Sequence, residues 1–230
     1  MDKKYKVTAI IVAAGSGKRI GGAVKKQFLQ IKEKPILIYT LERFQQCSDV
    51  DDVILVVPKT EIAVLEEQVF ANIHLNKVRQ IISGGRERYY SVFEGLKVVP
   101  ENTDFVAVHD GVRPLITVEK ISQVIRAAMQ HGSAILGVTP KDTIKSVKSG
   151  FVRETVDRNC LVAVQTPQVF KKDILVSAYH FALNNKQFAT DDSALVEKLG
   201  HRVFVVPGDY DNIKITSAED LLIAEKLLDF

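Results

Sequence analysis

Short apolar segments rich in β-branched residues alternate with amphipathic segments along most of the chain, and this alternation constrains the fold more than any other feature. The apolar segments occupy 7–14, 53–58, 78–83, 105–110 and 134–139, and the amphipathic ones 35–46, 61–70, 88–99 and 118–130. Continuous apolar strands followed by helices are typical of βαβ units, which build a parallel sheet covered on both faces. The sequence therefore predicts an open, doubly wound α/β fold rather than an antiparallel sandwich.

The alternation breaks between 140 and 166, where polar and apolar residues alternate around Ser149-Gly150. This pattern predicts a β-hairpin. A hairpin this polar has little core of its own, so it either projects as an arm towards a second subunit or packs on its own domain. The residues of the hairpin leave both arrangements open.

The C-terminal part returns to regular elements. We expect helices over 171–185 and 191–200, a strand over 202–207 and a last helix that begins at Ser217, with Asp220 as its capping-box partner. The sequence contains no repeat, linker or low-complexity segment, and 230 residues suit one domain. We therefore expect a single domain over 1–230 with an arm at about 140–166.

Charge and cysteine content narrow the partners and the compartment. A net charge of +3 is too small to indicate a nucleic-acid or membrane partner. No apolar segment approaches the ~20 residues that span a bilayer. The two cysteines, Cys47 and Cys160, form no C-x-x-C pair and no disulfide framework. We expect a cytoplasmic protein with no nucleic-acid and no membrane partner.

A glycine-rich, cationic loop follows the first apolar segment. Residues 13–22 read Ala-Ala-Gly-Ser-Gly-Lys-Arg-Ile-Gly-Gly, and Lys25-Lys26-Gln27-Phe28 comes shortly after. Glycines allow backbone N–H groups to converge on a phosphate chain, and Arg19 and Lys26 add positive charge. A tight turn also needs glycine, but so many cations in one loop favour phosphate binding.

Two common phosphate motifs do not fit this loop. The dinucleotide fingerprint fails because Ile20 stands at its third glycine position, which disfavours a nicotinamide-dependent oxidoreductase. The P-loop fails because Ala23-Val24 follow Gly22 where Lys and Ser or Thr are required.

The loop resembles the signature of sugar-phosphate and polyol-phosphate nucleotidyltransferases. From about Val7 to Leu228 the chain is similar, more specifically, to the 2-C-methyl-D-erythritol 4-phosphate cytidylyltransferase family of the non-mevalonate isoprenoid pathway. The further matching segments are 84–88, 91–92, 109–114, 142–145, 155–159, 165–168 and 211–216. The resemblance implies a Rossmann-like fold with a projecting β-hairpin arm.

The resemblance also implies a reaction and a nucleotide site. The substrate's phosphate attacks the α-phosphorus of CTP, pyrophosphate leaves, and Arg19 and Lys26 stabilise the charged transition state. The resemblance places the nucleotide on Ala13, Ala14, Gly15, Gly17, Gly85 and Ser91. The base and the ribose would lie near Gly85 and Ser91.

Four residues are implied on the acceptor side. Lys214 and Arg158 would position the polyol phosphate for attack as catalytic residues, and Thr143 would bind the same substrate. Asp110 would lie near the substrate and would contact the Mg²⁺, or another divalent cation, that the triphosphate carries, although a role in capping the turn to Arg113 is also open. Because Thr143 and Arg158 lie in the hairpin, the resemblance implies a homodimer whose arms complete each other's active sites.

Some residues depart from the family pattern, and alternative functions stay open. Lys25 stands where the family usually has proline, Val112 replaces a frequent alanine, and Arg86 has no assigned role. A ribitol-5-phosphate cytidylyltransferase would share the loop, Lys26 and Lys214. A non-catalytic nucleotide-binding regulatory domain would keep the glycines without needing those cations.

Overall fold

The structure, a computed structural model, describes residues 5–15, 28–72 and 74–228. In these ranges the strands are β1 Val7–Val12, β2 Gln30–Ile31, β3 Lys34–Pro35, β4 Asp52–Val57, β5 Val78–Ser83, β6 Phe105–Asp110, β7 Ser133–Val138, β8 Ile144–Lys148, β9 Phe151–Val156, β10 Ala163–Lys171 and β11 Phe204–Pro207. The α-helices are α1 Ile36–Gln46, α2 Ile62–Asn72, α3 Arg88–Lys97, α4 Val118–His131, α5 Lys172–Asn185, α6 Asp192–Lys198 and α7 Ala218–Leu227.

A seven-stranded sheet forms the centre, in the order β11-β7-β10-β6-β1-β4-β5. Strand β10 is antiparallel to both of its neighbours, β6 and β7, and the other pairs are parallel. The prediction of a mostly parallel α/β sheet is therefore confirmed. The carboxyl ends of the six parallel strands lie at one edge, together with the amino end of β10, and ligands bind at this edge in open α/β sheets.

Helices cover both faces of the sheet, as predicted. On β1, Ile11 belongs to a core cluster with Leu41 of α1 and Ile121 of α4. The adjacent Ile10 points to the opposite face, where it shares a cluster with Val92 of α3 and residues of α5 and α6. The continuous apolar character of β1 therefore reflects burial on both sides.

The predicted hairpin consists of β8 and β9, which pair only with each other in the described structure. Ser149 and Gly150 form its turn with φ values of 52° and 84°, and positive φ at both central residues is what a type I′ hairpin turn requires. The predicted arm boundary needs one correction: from Ala163 onward the chain belongs to β10 of the central sheet and not to the arm.

The C-terminal elements match the sequence pattern. Ser217 caps α7, and its side chain and that of Asp220 form the predicted capping box. Ala224 of α7 is buried in a small cluster with Ile36 and Ile215, which fixes the helix beside the loop that precedes it. In the part of the chain that the structure describes, no helix combines the length and apolar character needed to cross a membrane.

Candidate active site

The segments after β1 and β5 meet at the carboxyl edge of the sheet. A Cβ added at Gly84 would lie 2.3 Å from the Cβ of Ala14 and 2.7 Å from Oγ of Ser91, so only glycine permits this approach. The sheet itself holds the end of β1, since the N–H of Ala13 donates to the carbonyl of Val56 at 2.7 Å. Ala14, which is predicted to bind the nucleotide, therefore lies against the Gly84-Gly85 turn.

Ser91 shapes that turn from inside. The residue is 1% exposed, and its hydroxyl accepts a hydrogen bond from the N–H of Gly85 at 3.1 Å and donates to the carbonyl of Glu87 at 3.1 Å. The contact of Ser91 and Gly85 with a nucleotide stays a prediction. Arg19, Lys26 and Gly17 lie outside the described residues, as does Lys25.

Asp110, the last residue of β6, is the centre of a buried ion-pair cluster. Arg88 Nε donates to Oδ1 at 2.8 Å, and Lys214 Nζ donates to Oδ2 at 2.7 Å. Arg113 Nε lies 3.8 Å from Oδ2. Burial alone would raise the pKa of Asp110, but the charges of Arg88 and Lys214 outweigh burial and hold its pKa well below the usual range. The carboxylate is therefore ionised.

The guanidinium of Arg88 also binds a second acid. Its Nη2 donates to Asp192 Oδ2 at 2.9 Å, and Asp192 is fully buried. The hydroxyl of Tyr179 donates to the other oxygen of Asp192. Sequence reasoning gave no role to Arg88 or Asp192, because no local pattern connects residues 104 positions apart.

A network of hydrogen bonds brings Lys214 to Asp110. Asn212 Nδ2 donates to the carbonyl of Thr166 at 3.1 Å, and Arg113 Nη1 donates to the carbonyl of Asn212 at 2.6 Å. The N–H of Ile215 donates to the carbonyl of Val112 at 3.0 Å. The loop before α7 is thereby fastened to the ends of β6 and β10. Lys214 keeps 35% of its side-chain surface exposed.

His109 has a structural role. It is fully buried, its Nδ1 lies 3.0 Å from Oγ1 of Thr166, and its ring packs against Phe44. Burial lowers the pKa of His109 to about 3, so the imidazole is neutral. Among the described residues, no cluster of three or more histidine, cysteine or acidic side chains could hold a metal ion.

Thr143 and Arg158 lie at the base of the arm and are exposed. Arg158 Nη1 donates to the carbonyl of Lys141 at 2.7 Å. In the described part of the chain, no hydrogen bond or ion pair joins either residue to Asp110 or Lys214. The structure thus places the four predicted acceptor residues in two groups.

Tyr210 ties the arm base to the loop that carries Lys214. Its hydroxyl donates to the carbonyl of Thr139 at 2.8 Å, and Lys141 Nζ lies 4.0 Å from the centre of its ring. The orientation of the arm is therefore coupled to the segment that positions Lys214.

The charges around Asp110 favour an anionic ligand. Arg88, Arg113 and Lys214 supply three positive charges against the two negative charges of Asp110 and Asp192. Partly buried cations at a strand edge concentrate phosphate groups. The glycine-rich segment after β1, the strand order and this cluster are together those of a Rossmann-like nucleotidyltransferase.

Comparison with known proteins gives the family. A sequence model described as 2-C-methyl-D-erythritol 4-phosphate cytidylyltransferase matches residues 7–229. The chain is 44% identical over 223 residues to the protein of that name from Caldanaerobacter subterraneus subsp. tengcongensis, covering 96% of this chain and 98% of that protein. It is 46% identical over 224 residues to the protein of that name from Alkaliphilus metalliredigens, covering 97% and 93%. The chain belongs to the 2-C-methyl-D-erythritol 4-phosphate cytidylyltransferase family.

Solved structures agree with this assignment. The 4-diphosphocytidyl-2C-methyl-D-erythritol synthase of Anaerococcus prevotii superposes with a TM-score of 0.87 at 31% identity, covering 98% of this chain and 99% of that one. The 2-C-methyl-D-erythritol 4-phosphate cytidylyltransferase of Thermus thermophilus gives a TM-score of 0.77 at 28% identity, covering 96% and 98%.

Proposed function

We propose that this protein transfers CMP from CTP to 2-C-methyl-D-erythritol 4-phosphate, giving 4-diphosphocytidyl-2-C-methyl-D-erythritol and pyrophosphate for isoprenoid precursor biosynthesis. Family membership over nearly the whole chain supports the reaction. The structural observation that carries it is the Asp110–Lys214 pair, 2.7 Å apart, at the edge where the nucleotide segments meet.

The reaction needs positioning more than covalent chemistry. An oxygen of the acceptor phosphate attacks the α-phosphorus of CTP, the bond from that phosphorus to the bridging oxygen breaks, and pyrophosphate leaves with the bond's electrons. Because both reactants are polyanions, the protein must neutralise their repulsion and align them. We assign transition-state stabilisation to Arg19 and Lys26, whose cationic side chains suit non-bridging oxygens.

We assign the binding of CTP mainly to backbone groups. We place the triphosphate on Ala13, Ala14, Gly15 and Gly17, and the base and ribose at Gly85 and Ser91. The close approach of Ala14 to the Gly84-Gly85 turn supports one continuous site for both parts of CTP.

On the acceptor side, Asp110 and Lys214 bind different groups of the substrate because their charges are opposite. The Lys214 ammonium is partly exposed and binds Asp110 alone among the described residues, so it can shift onto the acceptor phosphate. The Asp110 carboxylate can then accept hydrogen bonds from the hydroxyls of the polyol. We assign Thr143 and Arg158 to the acceptor as well, with Arg158 positioning its phosphate.

Mg²⁺ fits this site as an ion carried by the triphosphate. Magnesium is usually held by one or two carboxylates together with substrate phosphates, and Asp110 offers one such carboxylate. Both oxygens of Asp110 already accept from cations, so it would serve as a minor ligand. Bound Mg²⁺ would neutralise charge on the phosphates.

We further propose a homodimer in which each arm completes the partner's active site. Exposed apolar side chains on the arm support this, because Val147, Phe151 and Val152 are 59%, 79% and 61% exposed in the single chain. The separation of Thr143 and Arg158 from the Asp110 cluster supports it too. We also propose a cytoplasmic location, which agrees with the free thiols of Cys47 and Cys160.

Pyrophosphate release tests the reaction and its acceptor. Purified protein is assayed with CTP and Mg²⁺, with either 2-C-methyl-D-erythritol 4-phosphate or ribitol 5-phosphate as acceptor. We expect release with the first alone. Release with ribitol 5-phosphate alone would identify ribitol 5-phosphate as the acceptor. Release with neither acceptor, in folded protein that binds CTP, would favour a regulatory nucleotide-binding domain.

A further inference from the structure

Arg88 connects the two sides of the proposed site. It is the first residue of α3, shortly after the Gly84-Gly85 turn, and it holds Oδ1 of Asp110 at 2.8 Å. A quarter of its side-chain surface is exposed. The residue is therefore in contact with the acceptor side while its backbone belongs to the nucleotide side.

The far end of Arg88 is fixed in the protein interior. Its partner Asp192 is fully buried, and the hydroxyl of Tyr179 binds the same carboxylate. Gln168 Oε1 accepts from the N–H groups of Asp192 and Ser193 at 3.1 and 3.0 Å, which fastens the start of α6 to β10. Arg88 is thus anchored, whereas Lys214 is partly exposed and can exchange partners.

We propose that Arg88 is a positioning residue for the acceptor, acting through Asp110. It fixes Oδ1, so that Oδ2 faces Lys214 and the acceptor. When Lys214 moves to the acceptor phosphate, Arg88 remains as the hydrogen-bonded counter-ion of Asp110, with Arg113 further away at 3.8 Å. A buried carboxylate left without a cation is costly, so a fixed second cation is what makes that movement feasible. This inference rests on the proposed function of the site.

The geometry requires arginine at this position. One guanidinium reaches both carboxylates through Nε and Nη2, at 2.8 and 2.9 Å. A lysine is a single point charge and cannot hold both acids in fixed directions. Arg88→Lys therefore keeps the positive charge and removes the simultaneous contact with Asp110 and Asp192.

The test compares kinetic constants of Arg88→Lys and wild type, using whichever of the two polyol phosphates the wild type accepts. We expect KM for the acceptor to rise about tenfold, which corresponds to the loss of one hydrogen bond to a charged group, with KM for CTP little changed. Arg79→Lys is the matched control, because Arg79 Nε donates to Asp52 Oδ1 at the same 2.8 Å on the same sheet, away from the site. Melting temperatures are measured alongside.

A second variant protects the test against misfolding. Asp192→Asn keeps Arg88 and Asp110 but weakens the ion pair that anchors Arg88. KM for the acceptor should therefore also rise, by a smaller factor than in Arg88→Lys. If the acceptor KM of both variants equals that of Arg79→Lys, the positioning role of Arg88 is overturned while the proposed function stands. The same holds if catalytic losses affect acceptor and CTP equally and follow the melting temperature. Wild-type protein that turns over neither acceptor would contradict the proposed function, and the Arg88 assignment with it.

Discussion

Arg88 and Lys214 both donate hydrogen bonds to Asp110, and of these two only Arg88 is also bound to a second carboxylate. Lys214 is 35% exposed and has Asp110 as its partner, whereas Arg88 is bound on its other side to the fully buried Asp192. This asymmetry separates a cation that can contact substrate from one that keeps the carboxylate in place. Substitutions of Lys214 and of Arg88 are therefore expected to have different effects.

Replacing Lys214 by methionine removes the ammonium while keeping most of the side-chain length. A hydrogen bond to a charged group is worth about 1.5–3 kcal/mol, so KM for the acceptor should rise about 10- to 100-fold, with a smaller effect on CTP. Steady-state kinetics check this. Lys120→Met is the control, since Lys120 Nζ binds the carbonyl of Pro207 and lies outside the Asp110 cluster. An acceptor KM equal to that of the control would contradict the role of Lys214.

His109 should make stability depend on pH. Its pKa is lowered by burial from 6.5 to about 3, so between these values the unfolded chain binds a proton that the folded chain does not. Stability therefore falls as pH falls through this window, by up to about 1.4 kcal/mol per pH unit. Urea unfolding of His109→Gln should show a weaker dependence between about pH 7 and about pH 5. The exposed His201→Gln should keep the wild-type dependence, and an equal dependence in both variants would contradict the account.

At the scale of elements, the arm carries apolar surface that its own domain does not cover. Phe151 is 79% exposed beside the Ser149-Gly150 turn. If the arm contacts a second copy, Phe151→Asp places a charge in that interface and should shift the protein from dimer to monomer in analytical ultracentrifugation. Phe188→Asp is the control, because Phe188 is 47% exposed but lies outside the arm. A monomeric wild type, or a Phe151→Asp dimer as stable as that of the control, would contradict the proposed interface.

The elements were largely predictable because their signals are local. Continuous apolar segments predicted the parallel strands, and Ser149-Gly150 predicted the hairpin turn. Strand β10 was not predicted, since its first residues were assigned to the arm, and its direction was not predictable either. It runs antiparallel between β6 and β7 because the chain returns from the arm at that edge, which is a property of the topology and not of its residues.

The site was predictable only in part, for a similar reason. The resemblance singled out Asp110 and Lys214, and the structure brings them together through the bonds of Asn212 and Ile215. Arg88 and Asp192 were missed, because their ion pair exists only once α3 and α6 pack on the same face of the sheet. Long-range pairs of this kind leave no spacing signal in the sequence.

At the scale of the whole molecule, shared active sites predict complementation. Arg158→Ala and Lys214→Met should each be poorly active alone. In mixed dimers one site combines the intact Lys214 of one protomer with the intact Arg158 of the other, so co-expressed variants should regain about a quarter of the wild-type activity on random pairing. Activity of tagged, co-purified mixtures measures this. A mixture no more active than its components would show that each site uses its own arm.

The most direct test of the central claim is ³¹P NMR of the complete reaction with CTP, Mg²⁺ and 2-C-methyl-D-erythritol 4-phosphate. The account predicts that the acceptor's monophosphate signal disappears as a pair of coupled diphosphate signals and the signal of pyrophosphate grow together. Such a spectrum requires a new bond between the acceptor phosphate and the α-phosphorus. A monophosphate signal that persists while CTP stays intact or is merely hydrolysed would contradict the claim.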